Sequence, residues 1–229
     1  MKSFIIHLSK IPASLSTALK VKESLDLFGI ENELFEGSYG NEVKKLFGET
    51  GRKCHPHSFK GANFLYTEEE KNNLSAPGVM GCFYSHFRLW EKCIELDKPI
   101  MILEDDVLFT RNYHPVEFDE VLITVFGNRN KSAKYYHYLT NPAGEPRAER
   151  YWQASMPGTP GYAIRPHAAK RLVDYYNTHN TFLPSDNAIM SALVKIQVHS
   201  HVMGRAMHTE DGKKSLVRGK KDFWGNFNG

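Results

Sequence analysis

The sequence contains the stretch Ile100-Met101-Ile102-Leu103-Glu104-Asp105-Asp106-Val107, in which four consecutive apolar residues run directly into three carboxylates. A strand that is buried on both faces has a continuous apolar sequence, so this stretch predicts a central strand. In open α/β sheets, ligands bind beyond the carboxyl ends of the strands. Acidic side chains placed there can hold a hard divalent cation, which prefers oxygen ligands and often shares its shell with phosphates. The alternative is a strand that simply ends in solvated acids, and the stretch alone does not decide between the two.

The segments around this stretch predict the alternation of strands and helices that is typical of a parallel α/β layer. The predicted elements are a strand over 4–8, a helix from about 12 to 28, a strand over 33–37, a helix from about 78, the acidic strand, a strand over 161–164, and helices from about 166 and 186. Residues 40–73 are polar and irregular, and we interpret them as a long loop or a small excursion from the layer.

The composition indicates a globular protein that neither binds nucleic acid nor spans a membrane. The 229 residues are 41% apolar and 24% charged, with a formal net charge of +3 and no arginine-rich tract. No segment reaches the roughly 18 apolar residues that a membrane span requires. The three cysteines, Cys54, Cys82 and Cys93, are odd in number and show no metal-ligand spacing. Together with the lack of a signal-peptide core, they favour a reducing cytoplasm.

Three blocks occur in one order along the chain. They are Gly78-Val79-Met80-Gly81-Cys82-Phe83-Tyr84-Ser85-His86 with Leu89-Trp90-Glu91-Lys92-Cys93, then the acidic strand 102–107, then 158–164 and 168–172 with Leu183-Pro184-Ser185-Asp186. In this order and spacing, the blocks resemble glycosyltransferase family 25, which includes bacterial lipooligosaccharide galactosyltransferases and the catalytic domains of collagen galactosyltransferases. The resemblance covers residue 1 to about 215. One departure is Ser185, because the family often has a hydrophobic residue between this proline and aspartate.

The resemblance implies an α/β fold, specifically a GT-A-like, Rossmann-related single domain over residues 1–215 with a mostly parallel central sheet flanked by helices. A basic and aromatic tail over 216–229 would follow it. The implied activity is that of a bacterial-type, inverting, metal-dependent glycosyltransferase. It would move a hexose, with galactose from UDP-galactose expected, onto a lipooligosaccharide or other glycan acceptor. The implied cofactor is Mn²⁺ or Mg²⁺.

The acidic residues receive roles from this resemblance and from the chemistry of glycosyl transfer. A cation neutralises the charge that develops on the diphosphate leaving group. The resemblance implies that the outer pair of the triplet, Glu104 and Asp106, forms the metal site. We expect Asp106 to be the direct ligand, and Glu104 to contact metal-bound water or the ribose. Asp105 is assigned to the donor site, although the alternation of side chains along a strand can turn it away. Asp186 is the expected base for the acceptor hydroxyl, with a helix cap as the alternative.

Further residues are assigned by position. We expect His7 and Ser9, at the end of the first strand, to lie near the uridine. Ser85 and His86 are expected to touch the nucleotide or the acidic strand, although a histidine on an apolar helical face is more often a buried structural residue. His208, close to two acidic residues, is a candidate late metal ligand.

Two aromatic groups complete the sequence-based expectations. Tyr151, Trp152 and Tyr162 are candidates for stacking against a sugar, with core packing as the alternative. The C-terminal segment combines cationic and aromatic residues in a pattern typical of an anionic membrane surface, with a solvated tail as the alternative. Its members are Lys213, Lys214, Arg218, Lys220, Lys221, Phe223, Trp224 and Phe227. The protein would then be cytoplasmic and peripheral at the inner face of the membrane.

Two other functions compete with glycosyl transfer. The first is an inactive carbohydrate- or partner-binding protein on the same fold, against which the retained acidic triplet and Asp186 argue. The second is a metal-dependent phosphoesterase, which usually needs dispersed histidine and aspartate ligands around two metals. The sequence does not provide an obvious set of that kind.

Overall fold

The computed structural model describes residues 1–55, 75–109, 117–126, 160–190, 194 and 196–206. The strands in this part are β1 (Lys2–His7), β2 (Asn32–Glu36), β3 (Lys53–Cys54), β4 (Ile100–Leu103), β5 (Val107–Phe109), β6 (Val121–Phe126), β7 (Gly161–Ile164), β8 (Thr181–Phe182) and β9 (Val198–Ala206). The helices are α1 (Pro12–Leu27), α2 (Gly40–Thr50), α3 (Pro77–Leu96), α4 (Pro166–Thr178) and α5 (Ser185–Met190).

A seven-stranded sheet organises the molecule, with the strand order β2-β1-β4-β7-β6-β9-β5. Strands β2, β1 and β4 are parallel neighbours, and β6 is parallel to β9. Strand β7 runs antiparallel to both of its neighbours, and β5 runs antiparallel to β9. All the other strands of this sheet therefore share one direction, which confirms the predicted α/β fold with a mostly parallel central sheet flanked by helices.

The side chains of β4 explain why its sequence is continuously apolar. Ile100 and Ile102 belong to the core on the face that α3 and α4 cover. Met101 and Leu103 belong to a second core, which α1 covers on the opposite face. All four side chains are buried, and each contributes on the order of 1.5–3 kcal/mol to folding. The prediction of a strand buried on both faces is confirmed.

Helix α3 supplies much of the larger core. Its aromatic side chains pack against each other and against α4, with the ring of Phe83 5.9 Å from that of Trp90 and 5.3 Å from that of Tyr176. In the part of the chain that the structure describes, no helix is long and apolar enough to cross a bilayer.

The prediction of a long loop over residues 40–73 is wrong for its first part, which forms α2 and β3. Val43 and Phe47 are buried on α2 and pack into the larger core. Gly51 ends the helix with a φ of 68°, a conformation that glycine adopts readily. The apolar stripe of α2 is narrow and lies in a charged segment, so its helical period was easily missed. Residues 56–74 lie outside the described part.

Candidate functional site

The carboxyl ends of three parallel strands bring polar residues to one edge of the sheet. Strand β1 ends at His7, β2 at Glu36 and β4 at Leu103. The acidic triplet 104–106 follows in the turn between β4 and β5. The triplet thus lies where the sequence predicted it, beyond the end of a buried central strand.

Asp105 faces helix α1. Its Oδ2 accepts a hydrogen bond from the hydroxyl of Ser14, and the same Ser14 oxygen accepts the N–H of Leu8 at 3.0 Å. Burial raises the pKa of Asp105 to about 6; the Ser14 hydrogen bond opposes this rise and the neighbouring Asp106 adds to it. Asp105 therefore holds the turn between β1 and α1 against the end of β4. This is the orientation, turned away from the donor site, that the alternation of side chains along a strand allows.

Glu104 lies on the other side of the strand end, beside helix α3. Its Oε1 is 3.8 Å from Nε2 of His86. Burial lowers the pKa of His86 to about 4, with the charge of Asp186 acting in the opposite direction. The imidazole is therefore neutral at physiological pH, so it does not form an ion pair with the Glu104 carboxylate.

Cys82 also belongs to this neighbourhood. Its sulfur, a ring nitrogen of His86 and a carboxylate oxygen of Glu104 all lie within 4.8 Å of one another. Burial raises the pKa of the Cys82 thiol well above its usual range, and Glu104 adds to the rise, so the thiol stays protonated. Sequence reasoning did not connect Cys82 and His86 with Glu104, so it missed this group. The available signal was the i, i+4 spacing of Cys82 and His86 on one helical face.

Helix α5 brings Asp186 to the same place. The Cys82 sulfur is 3.4 Å from the hydroxyl of Ser185, which precedes Asp186. Because α5 begins at Ser185, Asp186 lies in the first turn of the helix rather than at the cap, and its Oδ1 accepts the N–H of Asn187 at 2.8 Å. The structure thus brings Asp186 near His86 and Glu104, while its role as a base stays a prediction.

Ser85 and His86 lie in the protein interior, with 2% and 1% of their surfaces exposed. The Ser85 hydroxyl donates to the carbonyl of Gly81 at 2.7 Å and accepts the N–H of Ser38 at 2.8 Å. Ser85 thereby holds the loop between β2 and α2. The predicted role of both residues in donor binding stays a prediction, and with this burial it can only be indirect.

A cleft of about 730 Å³ opens beside the ends of β1 and β2. Its lining includes Ser9, Lys10, Glu36, Tyr39, Tyr84 and Arg88. The Tyr39 hydroxyl donates to Glu36 Oε1 at 2.7 Å and accepts the Lys10 N–H at 2.9 Å, while the Ser9 N–H donates to the same Glu36 oxygen at 3.1 Å. Burial tends to raise the pKa of Glu36, but these hydrogen bonds bring it below its usual range.

The cleft is joined to the acidic triplet through His7. Its Nδ1 lies 3.4 Å from Glu36 Oε2, and the same side chain is near enough to Asp105 to interact with that carboxylate. Sequence reasoning selected Ser9 and His7 for this region but missed Glu36. The rule that singled out the triplet, an acid at the carboxyl end of a parallel strand, applies equally to Glu36.

The donor set at the end of β4 fits a hard divalent cation. Glu104 and Asp106 offer carboxylate oxygens at a half-buried position, the ligand type that Mn²⁺ and Mg²⁺ prefer. Asp105 is engaged with Ser14, which leaves the outer pair of the triplet as the candidate ligands. Burial is the main cause of the raised pKa of Asp105, and the negative charge of Asp106 adds to it. A nearby cation relieves repulsion between carboxylates of this kind.

Some predicted residues lie outside the described part. They are His208, Tyr151, Trp152 and the C-terminal residues 213–227. Tyr162 is described and is fully buried, so its ring has no face open to a sugar. The core-packing alternative is correct for Tyr162.

Comparison with known proteins identifies the family. The family model described as glycosyltransferase family 25 (LPS biosynthesis protein) matches residues 1–189. The chain belongs to glycosyltransferase family 25, as the three sequence blocks predicted.

The chain is similar to the lipooligosaccharide biosynthesis protein lex-1 of Haemophilus influenzae, with 26% identity over 139 residues, 56% of this chain and 45% of that protein. It is also similar to a glycosyltransferase 25 family member of Anopheles gambiae, with 26% identity over 45% of this chain and 17% of that protein. The matches thus span less than half the length of either relative. A solved glycosyltransferase involved in the glycosylation of the major capsid of PBCV-1 aligns with a TM-score of 0.41 and 13% identity, covering 93% of this chain and 98% of that chain.

Proposed function

We propose that this protein is an inverting, metal-dependent glycosyltransferase that moves a hexose from a UDP-sugar onto a lipooligosaccharide or related glycan. UDP-galactose is the expected donor. The observation that carries the proposal is the convergence of the acidic turn after β4, the cleft at the ends of β1 and β2, and Asp186 at one edge of the sheet, in a chain of family 25.

In this proposal the donor nucleotide occupies the cleft, close to Ser9 and His7. Tyr39 and Tyr84 offer aromatic rings beside a base, and Lys10 and Arg88 offer cationic groups to phosphates. The hydrogen bonds of the Glu36 carboxylate fix Ser9 and Tyr39 before a ligand arrives, which lowers the entropic cost of binding.

Asp106 and Glu104 would hold the cation, with His208 as a candidate third ligand. When bound, the cation neutralises the charge that develops on the departing diphosphate. Asp105 keeps the β1–α1 turn against the strand end and so positions the cleft relative to the acids.

Asp186 would accept the proton of the acceptor hydroxyl on the face of the sugar opposite the leaving diphosphate. Such a base is what an inverting single displacement requires. Its proximity to Glu104, through the shared neighbours Cys82 and His86, supports this role.

The basic and aromatic residues of 213–227 would bring the enzyme to an anionic membrane that carries a lipid-linked acceptor. Each basic residue near such a surface contributes on the order of 1 kcal/mol. This part of the proposal rests on the sequence pattern alone.

A panel of UDP-hexoses, each incubated with Mn²⁺ and with EDTA, tests the proposal. We expect slow release of UDP from one or two of the sugars in Mn²⁺ and none in EDTA. A binding protein without activity would bind UDP-sugar and release no UDP from any member of the panel. A phosphoesterase would instead release inorganic phosphate or a sugar phosphate.

A further inference from the structure

Three buried polar side chains, Trp90 and His86 of α3 and Tyr162 of β7, form a chain of hydrogen bonds that ends beside the acidic turn. The Trp90 Nε1–H donates to the hydroxyl of Tyr162 at 2.8 Å, and the same hydroxyl lies 2.8 Å from Nδ1 of His86. Trp90 and Tyr162 are fully buried and His86 is 1% exposed. The planes of the His86 and Tyr162 rings are nearly parallel, with an angle of 14° between them.

A count of protons along this chain fixes the tautomer of His86. Trp90 can only donate, so it uses a lone pair of the Tyr162 oxygen. Tyr162 keeps its proton, because burial raises its pKa well above the usual value, and this proton needs an acceptor. Nδ1 of His86 is the acceptor that the described contacts provide. Because Nδ1 accepts the tyrosine proton, the ring proton of His86 lies on Nε2. A hydrogen on Nδ1 would instead leave the tyrosine proton buried without an acceptor.

The Nε2–H of His86 lies beside Glu104. Nε2 is buried and has no hydrogen-bond partner within 3.5 Å among the described residues, and Glu104 Oε1 stands at 3.8 Å. The Glu104 side chain is 34% exposed, so it has room to close this distance. A buried N–H that lacks an acceptor favours an approach of the carboxylate.

We infer that His86 is a positioning residue: its Nε2–H, fixed in place by Trp90 and Tyr162, orients the Glu104 carboxylate toward the ligand site. The inference rests on the proposed function in so far as Glu104 serves a bound cation. The tautomer itself does not depend on that function.

The grouping of Cys82, His86 and Glu104 allows a rival role, a site for a thiophilic metal such as Zn²⁺. That site would need a bare Nε2, because a metal binds the lone pair of a neutral imidazole. The proton count places a hydrogen on this atom instead. The two roles therefore exclude each other and can be separated by experiment.

The first test is long-range ¹H–¹⁵N NMR of the full chain labelled at histidine nitrogens. We expect the His86 spectrum of the Nε2–H tautomer, and we expect Tyr162→Phe to release the ring to a mixture of tautomers. An Nδ1–H tautomer in the unmodified protein would overturn the inference. So would Co²⁺ binding that produces a thiolate absorption band and that Cys82→Ala abolishes.

The second test compares two amides at position 86. In His86→Gln the amide nitrogen can reach the place of Nε2, whereas in His86→Asn it reaches only the place of Nδ1. Loss of a group that orients a metal ligand costs about 10–100-fold in metal affinity. We expect Mn²⁺ affinity near that of the unmodified protein for His86→Gln and a loss of that size for His86→Asn.

Equal Mn²⁺ affinities for two folded variants would overturn the positioning role. Thermal melts establish that both variants are folded, and if either is not, the NMR result decides alone. If the unmodified protein binds no Mn²⁺, the proposed metal-dependent function fails, and the positioning of a metal ligand falls with it. The tautomer assignment would still be judged by its own spectrum.

Discussion

Replacing Gly81 with alanine should push away the loop that forms one wall of the cleft. A β-carbon at Gly81 would lie 2.6 Å from the carbonyl oxygen of Ser38 and 3.0 Å from the backbone nitrogen of Gly40. Both are backbone atoms, so no change of rotamer relieves the contact. One turn further along α3, Ser85 holds the same loop by accepting the Ser38 N–H. The added methyl group therefore also strains that hydrogen bond.

The size of the effect follows from opposing contributions. Alanine is better than glycine within a helix by about 0.5–1 kcal/mol. Overpacking against a fixed neighbour costs about 1–3 kcal/mol, and a weakened buried hydrogen bond costs up to about 1 kcal/mol more. We expect Gly81→Ala to lower the free energy of unfolding by about 1–3 kcal/mol in total.

Gly48 provides the matched control. It lies on the exposed side of α2, and a β-carbon there would have nothing within 4 Å. Gly48→Ala should therefore raise the free energy of unfolding by about 0.5–1 kcal/mol. Urea unfolding of both variants, with UDP affinity measured beside it, separates the two cases. If Gly81→Ala is as stable as Gly48→Ala and binds UDP normally, the argument from close packing is refuted.

Three further predictions concern the site and the tail. Asp186→Asn should lower turnover by about 10²–10⁴-fold with little change in donor affinity; a proportional loss of affinity would move Asp186 to the donor site instead. Without metal, Asp105→Asn should stabilise the protein at pH 8 by up to about 3 kcal/mol, because the pKa of Asp105 is raised from 3.8 to about 6 by burial. The stability that protonated Asp105 contributes is complete below pH 4 and is lost as the pH rises through 6. Urea unfolding should therefore show that the variant's advantage in free energy of unfolding disappears near pH 4. An advantage that is the same at both pH values would contradict this. Removal of residues 216–229 should reduce transfer to acceptor in anionic vesicles, with less effect at high salt, and leave transfer to a short soluble acceptor intact; equal vesicle binding by the full and shortened chains would remove the targeting role.

The sequence predicted those features that depend on local pattern. The apolar run before Glu104 requires a strand buried on both faces, and the parallel α/β order then places the acids at a ligand-binding edge. The family resemblance came from short blocks, and the match over residues 1–189 confirms it. Helix α2 was not predicted because its buried residues, Val43 and Phe47, are too few to show a helical period in the sequence.

Features that depend on contacts between distant segments could not be predicted. Ser14 and Asp105 are 91 positions apart, and His86 and Tyr162 are 76 apart. Sequence patterns report on neighbours within a turn or along a strand, so the partner of Asp105 and the tautomer of His86 required the fold. The burial of Ser85 likewise depends on the packing of α3 under the β2–α2 loop.

The central claim is that the acidic turn after β4 serves a cation in hexosyl transfer, and Asp106→Asn tests it most directly. The change removes an anionic ligand with little change of shape. We expect the unmodified protein to release UDP from UDP-galactose or another UDP-hexose only in Mn²⁺. We expect Asp106→Asn to release none, to lose Mn²⁺-dependent UDP binding and to keep a normal thermal melt. A folded Asp106→Asn variant with unchanged turnover and an unchanged Mn²⁺ titration would contradict the account.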